Sequence, residues 1–584
     1  MIVRALGSLA AALLLSATAT AHPRQDAAEL LPADTLLAVH APDLGGTVRA
    51  LLELPAWARL DDGPLGALLT ANEALNKAFT GLSAVGATTG KRRLELLDAL
   101  GGDGSIFALL PPREPGAEPT AVAVFQTQDA GAVQDAFNGL LGIITLGQAR
   151  VSGSDWRVPL GDGVAARRDG LFLLSNAAGA LDELDASLAI GAGGRGTDRG
   201  TDRGTDRGTG RGTGRTGSLA DDPAYAAARS QLQGQDLSVW ARGAVFQTDP
   251  GIPERAADAG ASLIAGGLAE ALRTADWASL TLDVADDGLH ARLVTPADSA
   301  ALRETHAPFF PPAHELEVPE TDARLATLVL QRDLGPWWTR RDRYLDERAL
   351  ADSVEGDGNL SVVFQRDLGS EVLQWLRPEV LLLVDRNRFE HGTPEPEFPA
   401  GALGFTPKDG HPEDFHQAFV NAFFALITFT NFDTADVTRP MLQPDMERLA
   451  DGARLYSADW RRTADEGRLE ARENLSPALL IQPDGRLWLG SSRAQLLAID
   501  AADTDTMTVA GDQLSLDLTA AGELLASNSE VIFARRLLLE GGDPLATQEF
   551  VERLEAAAGL FDRVRLGRRL TEGWAELTLE LRSL

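Results

Sequence analysis

The sequence predicts an α+β fold made of two diverged tandem copies of one unit, each a mainly antiparallel sheet packed with helices. Short apolar runs that alternate with polar residues predict strands, and longer amphipathic segments between them predict helices. No glycine-rich phosphate loop follows a strand, which favours an antiparallel α+β arrangement over a doubly wound one. Similar segments also recur in the same order in both halves of the chain.

Four pairs of matching segments support the predicted duplication. They are Asp43-Leu44-Gly45 with Asp333-Leu334-Gly335, residues 138–145 with 421–428, Asp169-Gly170 with Asp484-Gly485, and residues 277–283 with 574–580. The separation between partners changes only by loop-sized amounts. One such match could arise by chance, but four in order favour a repeat. Copy one is predicted to span residues 30–296, and copy two residues 323–584.

Each copy is predicted to follow one order of elements. A first strand leads to Asp43 or Asp333, whose carboxylate is suited to cap the next helix by accepting from free amides. Two strands, an amphipathic helix and a hairpin follow, and the Asp-Gly turn of the hairpin suits the positive φ of tight turns. A helix, a strand, a long helix and a final strand complete the unit. The final strands are predicted to begin at Trp277 and Trp574, both buried.

Two segments depart from the repeat. Residues 297–322 contain four prolines, which fix φ and remove backbone donors, so they are predicted to form a semi-extended linker. Residues 193–217 contain only Gly, Thr, Arg and Asp and cannot bury apolar surface, so they are predicted to form a disordered surface loop. The six arginines of this tract leave open a second interpretation, a flexible arm for an anionic polymer.

The first 21 residues have the three parts of a secretory signal peptide. Arg4 supplies the early charge, an apolar stretch follows at 5–15, and small residues lead to cleavage after Ala21 or Ala19. An uncleaved anchor is the alternative, but the apolar stretch is well short of the roughly 20 residues that span a bilayer. The sequence therefore predicts an exported protein, periplasmic or secreted, with no transmembrane segment after cleavage.

Charge and cysteine content exclude several classes of function. The chain has 53 basic and 85 acidic residues, for a net charge of −32. Such a field repels phosphate backbones and anionic lipid, which argues against binding to nucleic acid or to anionic membranes. There is no cysteine. Disulfides, thiolate metal sites and cysteine nucleophiles are therefore excluded.

No catalytic, cofactor-binding or metal-binding residue is predicted. Residues 86–91 resemble a phosphate loop, but only three residues separate the glycines and Arg92 replaces the required Ser or Thr. His411 and His416 are five residues apart, about 140° around a helix, so they cannot chelate from one helical face. His411 is instead predicted to lie at a helix start, with Pro412 as the first helical residue. No HExxH or GxSxG motif occurs.

Acidic and aromatic clusters receive structural interpretations. The acidic groups at 182–185 and 286–287 lack the spaced oxygen ligands of a calcium loop and are interpreted as solvated faces. Trp337 and Trp338 could stack on a sugar. Their counterparts in copy one, Thr47 and Val48, lie on the same predicted helix, which favours packing.

Three segments resemble an uncharacterised family of exported bacterial proteins, a domain-of-unknown-function family. They are LLPADTLLAVHAPDL near the predicted mature start, TTGKRRLELLDALGGDGSIFALL, and SLADDPAYAAARSQLQGQDLSVWARG, in which a helix start precedes a strand. The resemblance covers most of copy one and, more weakly, copy two. It implies an extracytoplasmic location and a recurring architecture. It implies no activity and no catalytic residue.

These observations predict a non-enzymatic binding or scaffold protein of the bacterial envelope. Its partner would be an envelope protein, a polymer or a lipid. Two alternatives stay open: an envelope hydrolase with a dispersed active site, and a carrier of lipid or another hydrophobic ligand. A His or carboxylate pair near a nucleophile in a cleft would favour the hydrolase. An apolar groove between sheet and helices would favour the carrier.

Overall fold

The computed structural model describes most of the chain from residue 27 onward. The described ranges are 27–62, 104–112, 117–127, 150–182, 217–247, 251–297, 302–433, 441–460 and 471–583, with parts of 131–141 and a few positions inside the ranges left out. The predicted signal peptide, residues 86–91 and nearly all of the tract 193–217 lie outside them. The chain divides into two compact units, the first from 1–61, 66–252 and 272–296, the second from 62–65, 253–271 and 297–584.

The first unit is an antiparallel sheet with helices. Its described strands are β1 (Leu37–Ala41), β2 (Ser105–Leu110), β3 (Thr120–Gln126), β4 (Trp156–Leu160), β5 (Gly163–Arg168), β6 (Leu171–Ser175), β7 (Leu237–Arg242), β8 (Trp277–Ala285) and β9 (Gly288–Pro296). They lie in the order β4-β5-β6-β3-β2-β1-β7-β8-β9. The described helices are α1 (Leu44–Glu53), α2 (Pro55–Asp62), α3 (Pro223–Leu232) and α4 (Ala244–Gln247).

The second unit has the larger described sheet. Its strands are β10 (Glu315–Pro319), β11 (Arg324–Leu330), β12 (Val380–Asp385), β13 (Ala400–Phe405), β14 (Leu442–Arg448), β15 (Arg454–Trp460), β16 (Ala478–Ile481), β17 (Leu487–Gly490), β18 (Thr506–Ala510), β19 (Asp512–Asp517), β20 (Arg563–Thr571) and β21 (Trp574–Arg582). The main sheet has the antiparallel order β14-β15-β16-β17-β13-β12-β11-β19-β20-β21. Strands β10 and β18 form a separate antiparallel pair.

Eight described helices accompany this second sheet. They are α5 (Ala259–Thr274), α6 (Leu334–Thr339), α7 (Glu347–Phe364), α8 (Phe415–Asp433), α9 (Arg493–Ala501), α10 (Leu518–Ser527), α11 (Ser529–Leu539) and α12 (Pro544–Ala558). Leu479 packs in the cluster that contains α8, whereas its neighbour Leu480 packs in the cluster that contains α9. Because successive strand residues point to opposite faces, this part of the sheet is covered on both faces.

The α+β fold is confirmed, and the two units share one strand order. Without β14, the second order reads β15-β16-β17-β13-β12-β11-β19-β20-β21 and matches the first strand for strand. Common descent of the two halves stays a prediction, because a shared order of strands is a property of the fold alone. The matched segments of sequence are a separate observation, and two of the four pairs are misaligned.

The pairing of Trp277 with Trp574 is wrong. Trp277 begins β8, whereas Trp574 begins β21, which corresponds to β9. Each unit ends in a hairpin instead of a single strand, and the similar sequences belong to opposite strands of the two hairpins. Trp277 is buried as predicted, but Trp574 is only half-buried.

The predicted match of Asn138 with Asn421 is also wrong, because a different asparagine makes the equivalent hydrogen bonds in the second unit. Asn138 accepts from the backbone N–H of Val151 at 2.8 Å and donates to its carbonyl at 3.1 Å. In the same way, Asn431 accepts from the backbone N–H of Leu442 and donates to its carbonyl, both at 2.9 Å. The counterpart of Asn138 in this role is therefore Asn431, ten residues beyond the position that sequence similarity selects.

The segment 297–322 is not a linker but part of the second unit. Phe309 is 1% exposed, and residues 315–319 form β10. Phe309 and Phe310 pack on α5, where a Cβ on Gly267 would lie 2.5 Å from the ring of Phe310. The two helical glycines, Gly266 and Gly267, therefore make room for these rings. Pro308 lies in a short 3-10 helix and Pro319 ends β10, while Phe309 and Phe310 supply the packing.

The local predictions have mixed outcomes. Asp43 accepts from Gly46 N at 3.3 Å, as a helix cap should. Asp333 lies at the cap position of α6, but its side chain makes no capping bond and faces Lys408 Nζ at 3.5 Å. The Asp-Gly turn between β16 and β17 is confirmed, with Gly485 at φ +90°. The equivalent turn at 169–170 lies outside the described residues.

Candidate functional site

Two of the segments that carry the family resemblance meet in the first unit. Pro32 and Ser218 form an isolated β-bridge. Arg242, the last residue of β7, donates to the carbonyl of Ala33 at 2.7 Å and to the carboxylate of Asp222 at 2.9 Å. These residues join the start of the first unit to β7 and to the start of α3. Their arrangement explains the motifs as structural ties, and it presents no reactive group.

His411 and His416 are closer than the helical argument predicts. Helix α8 begins at Phe415, not at Pro412 as predicted. His411 is therefore outside the helix, and the predicted separation of 140° around one helix does not apply to it. The two imidazole rings are 5.0 Å apart. Nε2 of His416 donates to the carbonyl of Gly485 at 3.0 Å, and burial lowers the pKa of this histidine. Within the described ranges, no group of three potential metal ligands includes them.

A histidine–carboxylate pair lies on the second unit, but it does not have the geometry of a nucleophilic site. Nε2 of His314 is 2.6 Å from Oε2 of the buried Glu379. The other ring nitrogen, Nδ1, faces the carbonyl of Pro312 at 3.4 Å. Nucleophilic catalysis needs a hydroxyl or thiol within hydrogen-bond reach of that second nitrogen. This pair therefore does not meet the criterion that would favour a hydrolase.

A small polar pocket surrounds Asp385. The carboxylate of Asp385 accepts from Thr321 Oγ1 at 2.9 Å, Arg324 Nε at 2.6 Å and Gln495 Nε2 at 3.0 Å. The pocket encloses about 10 Å³, room for one water molecule. Oε1 of Gln495 is buried and accepts no hydrogen bond from the described residues, so a water there would satisfy it. Both oxygens of the Asp385 carboxylate therefore already accept hydrogen bonds from protein groups.

A groove between helices α10 and α12 is larger than the Asp385 pocket. It encloses about 290 Å³ and is lined by Leu518, Thr519, Gly522, Ala526, Glu555, Ala558, Gly559 and Phe561. Most of these side chains are small or apolar. A Cβ on Gly522 would lie 3.5 Å from Cβ of Ala558, so the absence of a side chain at 522 keeps the groove open. Thr519 and Glu555 are its polar members.

The local sequence explains how the two helices are held. Asp517 caps α10 by accepting from Ala520 N at 2.9 Å, and Leu518 N donates to the carbonyl of Asp562 at 2.8 Å. Asp543 caps α12 by accepting from Leu545 N at 3.2 Å. Both starts are therefore fixed by capping bonds. Between the starts the packing is sparse, because only Leu524 of α10 and two residues of α12 are buried.

Sequence reasoning missed the groove. A signal does exist in the small residues Gly522 and Ala526 on one predicted helix and Ala558 and Gly559 at the end of another. Small residues four apart lie on one face of a helix, but spacing alone does not show that the two faces meet. Trp337 and Trp338 are not part of this site. Trp337 is buried and donates from Nε1 to Ser262 Oγ at 3.2 Å, as the packing interpretation predicts.

Of the helices that the structure describes, none has both the length and the apolar character needed to cross a membrane. Comparisons of the chain with protein-family models, with curated proteins and with solved structures return no match. The resemblance to a family of exported proteins therefore rests on its three sequence segments.

Proposed function

We propose that this chain is an exported, non-enzymatic binding protein of the bacterial envelope whose second unit holds a small hydrophobic ligand in the groove between α10 and α12. The observation that carries the proposal is the groove itself, about 290 Å³ lined mainly by small and apolar side chains. Ligand pockets are typically apolar and concave with a few polar groups, and about 300 Å³ is the lower end of their range. The signal-like start of the sequence supports the location.

The polar members of the lining define the kind of ligand. Thr519 offers a hydroxyl oxygen that can still accept, because its proton is donated to Oδ1 of Asp562 at 3.3 Å, and Glu555 offers its carboxylate oxygens. Both can bind a hydroxyl or amine group, whereas a ligand carboxylate would face Glu555 unfavourably. An aliphatic alcohol or amine therefore fits better than a free fatty acid. At about 25 cal/mol per Å², a ligand that buries roughly 300 Å² of apolar surface gains about 7.5 kcal/mol. Because association offsets part of this gain, we expect micromolar or weaker binding.

The test is binding of N-phenyl-1-naphthylamine, a neutral apolar amine whose fluorescence rises in apolar surroundings. Gly522→Leu places a four-carbon side chain in the groove and should weaken binding at least ten-fold. The matched control is Gly356→Leu in α7, because a Cβ on Gly356 meets no atom within 4 Å. Both changes replace a helical glycine, so they share the gain in helix propensity.

The expected result is saturable binding by the wild type and by the Gly356 variant, with loss in the Gly522 variant. Equal binding by all three proteins would overturn the proposal, because the probe would then lie elsewhere. Circular dichroism checks that the Gly522 variant is folded.

A further inference from the structure

The connection between α11 and α12 displays leucines to solvent on both of its sides. Leu538 and Leu539, at the end of α11, are 78% and 76% exposed, and Leu545, in the first turn of α12, is 66% exposed. The first two are the most exposed large apolar side chains in the described part of the molecule. Single exposed apolar residues are ordinary, whereas contiguous apolar surface marks interaction sites. We call Leu538, Leu539 and Leu545 the leucine tip.

The helices that carry the leucine tip pack on each other. The guanidinium carbon of Arg536 lies 3.8 Å from the centre of the Phe550 ring, which joins α11 to α12. Gly541, in the connection, has φ +66°, a conformation that glycine adopts without strain. The leucines are therefore displayed by two helices fixed to each other, not by a long loop.

The leucine tip and the groove share helix α12. Leu545 lies in the first turn of the helix, and Glu555 of the groove lies ten residues later. At 1.5 Å per residue this is about 15 Å, half the thickness of the hydrocarbon core of a bilayer. A ligand that leaves a surface touched by the leucine tip would therefore reach the groove by moving along one helix.

We propose that the leucine tip docks on an uncharged or zwitterionic lipid bilayer, from which the groove takes up its apolar ligand. This inference rests on the proposed function. Leucines at the end of a helix pair can enter the boundary between headgroups and acyl chains. Arg535 is exposed and lies three and four residues before the tip leucines of α11, on the same face, where it can reach a lipid phosphate. The net charge of −32 disfavours an anionic surface, so the lipid is a neutral one.

The test uses the full mature chain and vesicles of pure phosphatidylcholine. Wild-type protein should float with the vesicles, and the triple variant L538S/L539S/L545S should bind them at least ten-fold more weakly. The matched control is V354S/V362S/F432S, which removes three apolar side chains of similar exposure (55%, 66% and 72%) from other helices. This control should bind as the wild type does. An equal mixture of phosphatidylcholine and phosphatidylglycerol should bind the wild type more weakly than the pure lipid.

Several outcomes would overturn the proposal. They are failure of the wild type to float, equal loss in the control variant, and stronger binding to the anionic mixture. The leucine tip could instead be covered by a second copy of the chain, and light scattering detects such a dimer by its molar mass. A dimer that the tip variant abolishes would show that the leucines cover one another and would also overturn the proposal.

Probe binding without vesicles separates this proposal from the previous one. The tip variant should keep wild-type binding of N-phenyl-1-naphthylamine, because the leucines are outside the groove. Gly522→Leu should keep wild-type vesicle binding. If vesicle binding fails while groove binding holds, only the docking proposal is wrong. If groove binding fails while the leucine tip still binds vesicles, the proposed function is wrong.

Discussion

Replacing Asp512 by asparagine should destabilise the second unit strongly, because this one carboxylate serves two buried guanidinium groups. Arg332 is fully buried and binds it through two bonds, Nη1 to Oδ1 at 2.9 Å and Nη2 to Oδ2 at 2.8 Å. Nε of Arg568 is 2.7 Å from Oδ2. The backbone N–H of Gln331 donates to Oδ1 at 2.8 Å. Asparagine would keep the shape of the side chain but remove the only negative charge of this trio.

Substitutions of Asp512 and of Arg568 should lower the free energy of unfolding by unequal amounts. Breaking a buried ion pair by removing one partner costs about 3–5 kcal/mol, and Asp512→Asn should fall in that range or above it because two cations lose their partner. Arg568→Met should cost only about 0–1.5 kcal/mol, since it leaves the matched pair of Arg332 and Asp512. It also removes Nη1 of Arg568, a buried donor with no partner among the described residues. Burial, followed by the neighbouring Arg332, lowers the pKa of Arg568 to about 10, so this excess charge is present at neutral pH.

Urea unfolding at neutral pH, followed by circular dichroism, measures these differences in the free energy of unfolding. The double variant D512N/R568M should be less destabilised than the sum of the two single variants, because the charge left without a partner is then also absent. If Arg568→Met costs as much as Asp512→Asn, the cluster is not limited by its excess positive charge, and this reasoning is wrong.

Two further substitutions test packing and titration. Gly404→Ala should lower the free energy of unfolding by about 1–3 kcal/mol, because its Cβ would lie 2.5 Å from the ring of the buried Trp488. The control is Gly401→Ala on the same strand, whose Cβ would meet no atom within 4 Å. It should be nearly neutral in the same urea assay. Burial lowers the pKa of His416. Below about pH 6.5 the unfolded chain therefore binds this proton more readily than the folded protein does, and the free energy of unfolding decreases as the pH is lowered. His416→Gln should remove that part of the pH dependence; an unchanged profile of melting temperature against pH would contradict the assignment.

Sequence patterns predicted the fold class because periodicity reports which residues face a core. Alternation in runs such as residues 325–330 identified strands, and Asp484-Gly485 identified a hairpin turn. The same patterns cannot say which strand of a hairpin is which. Trp277 and Trp574 both begin an alternating run, yet they lie on opposite strands of corresponding hairpins.

Long-range complementarity explains the other failures. The prolines of 297–322 indicated an extended segment, but Phe309 and Phe310 find space above Gly266 and Gly267, more than 40 residues earlier in the chain. Nothing local in the sequence predicts that contact. The groove was missed for the same reason, because it depends on how two helices lie against each other rather than on a motif.

The position of a bound ligand tests the central claim most directly. Crystals of the protein soaked with a short bromoalkanol would reveal the bromine by its anomalous scattering. We expect a bromine peak between α10 and α12, beside Gly522 and Ala558, and no such peak in the Gly522→Leu variant. A peak elsewhere, or none in the groove at a saturating concentration of the alcohol, would contradict it.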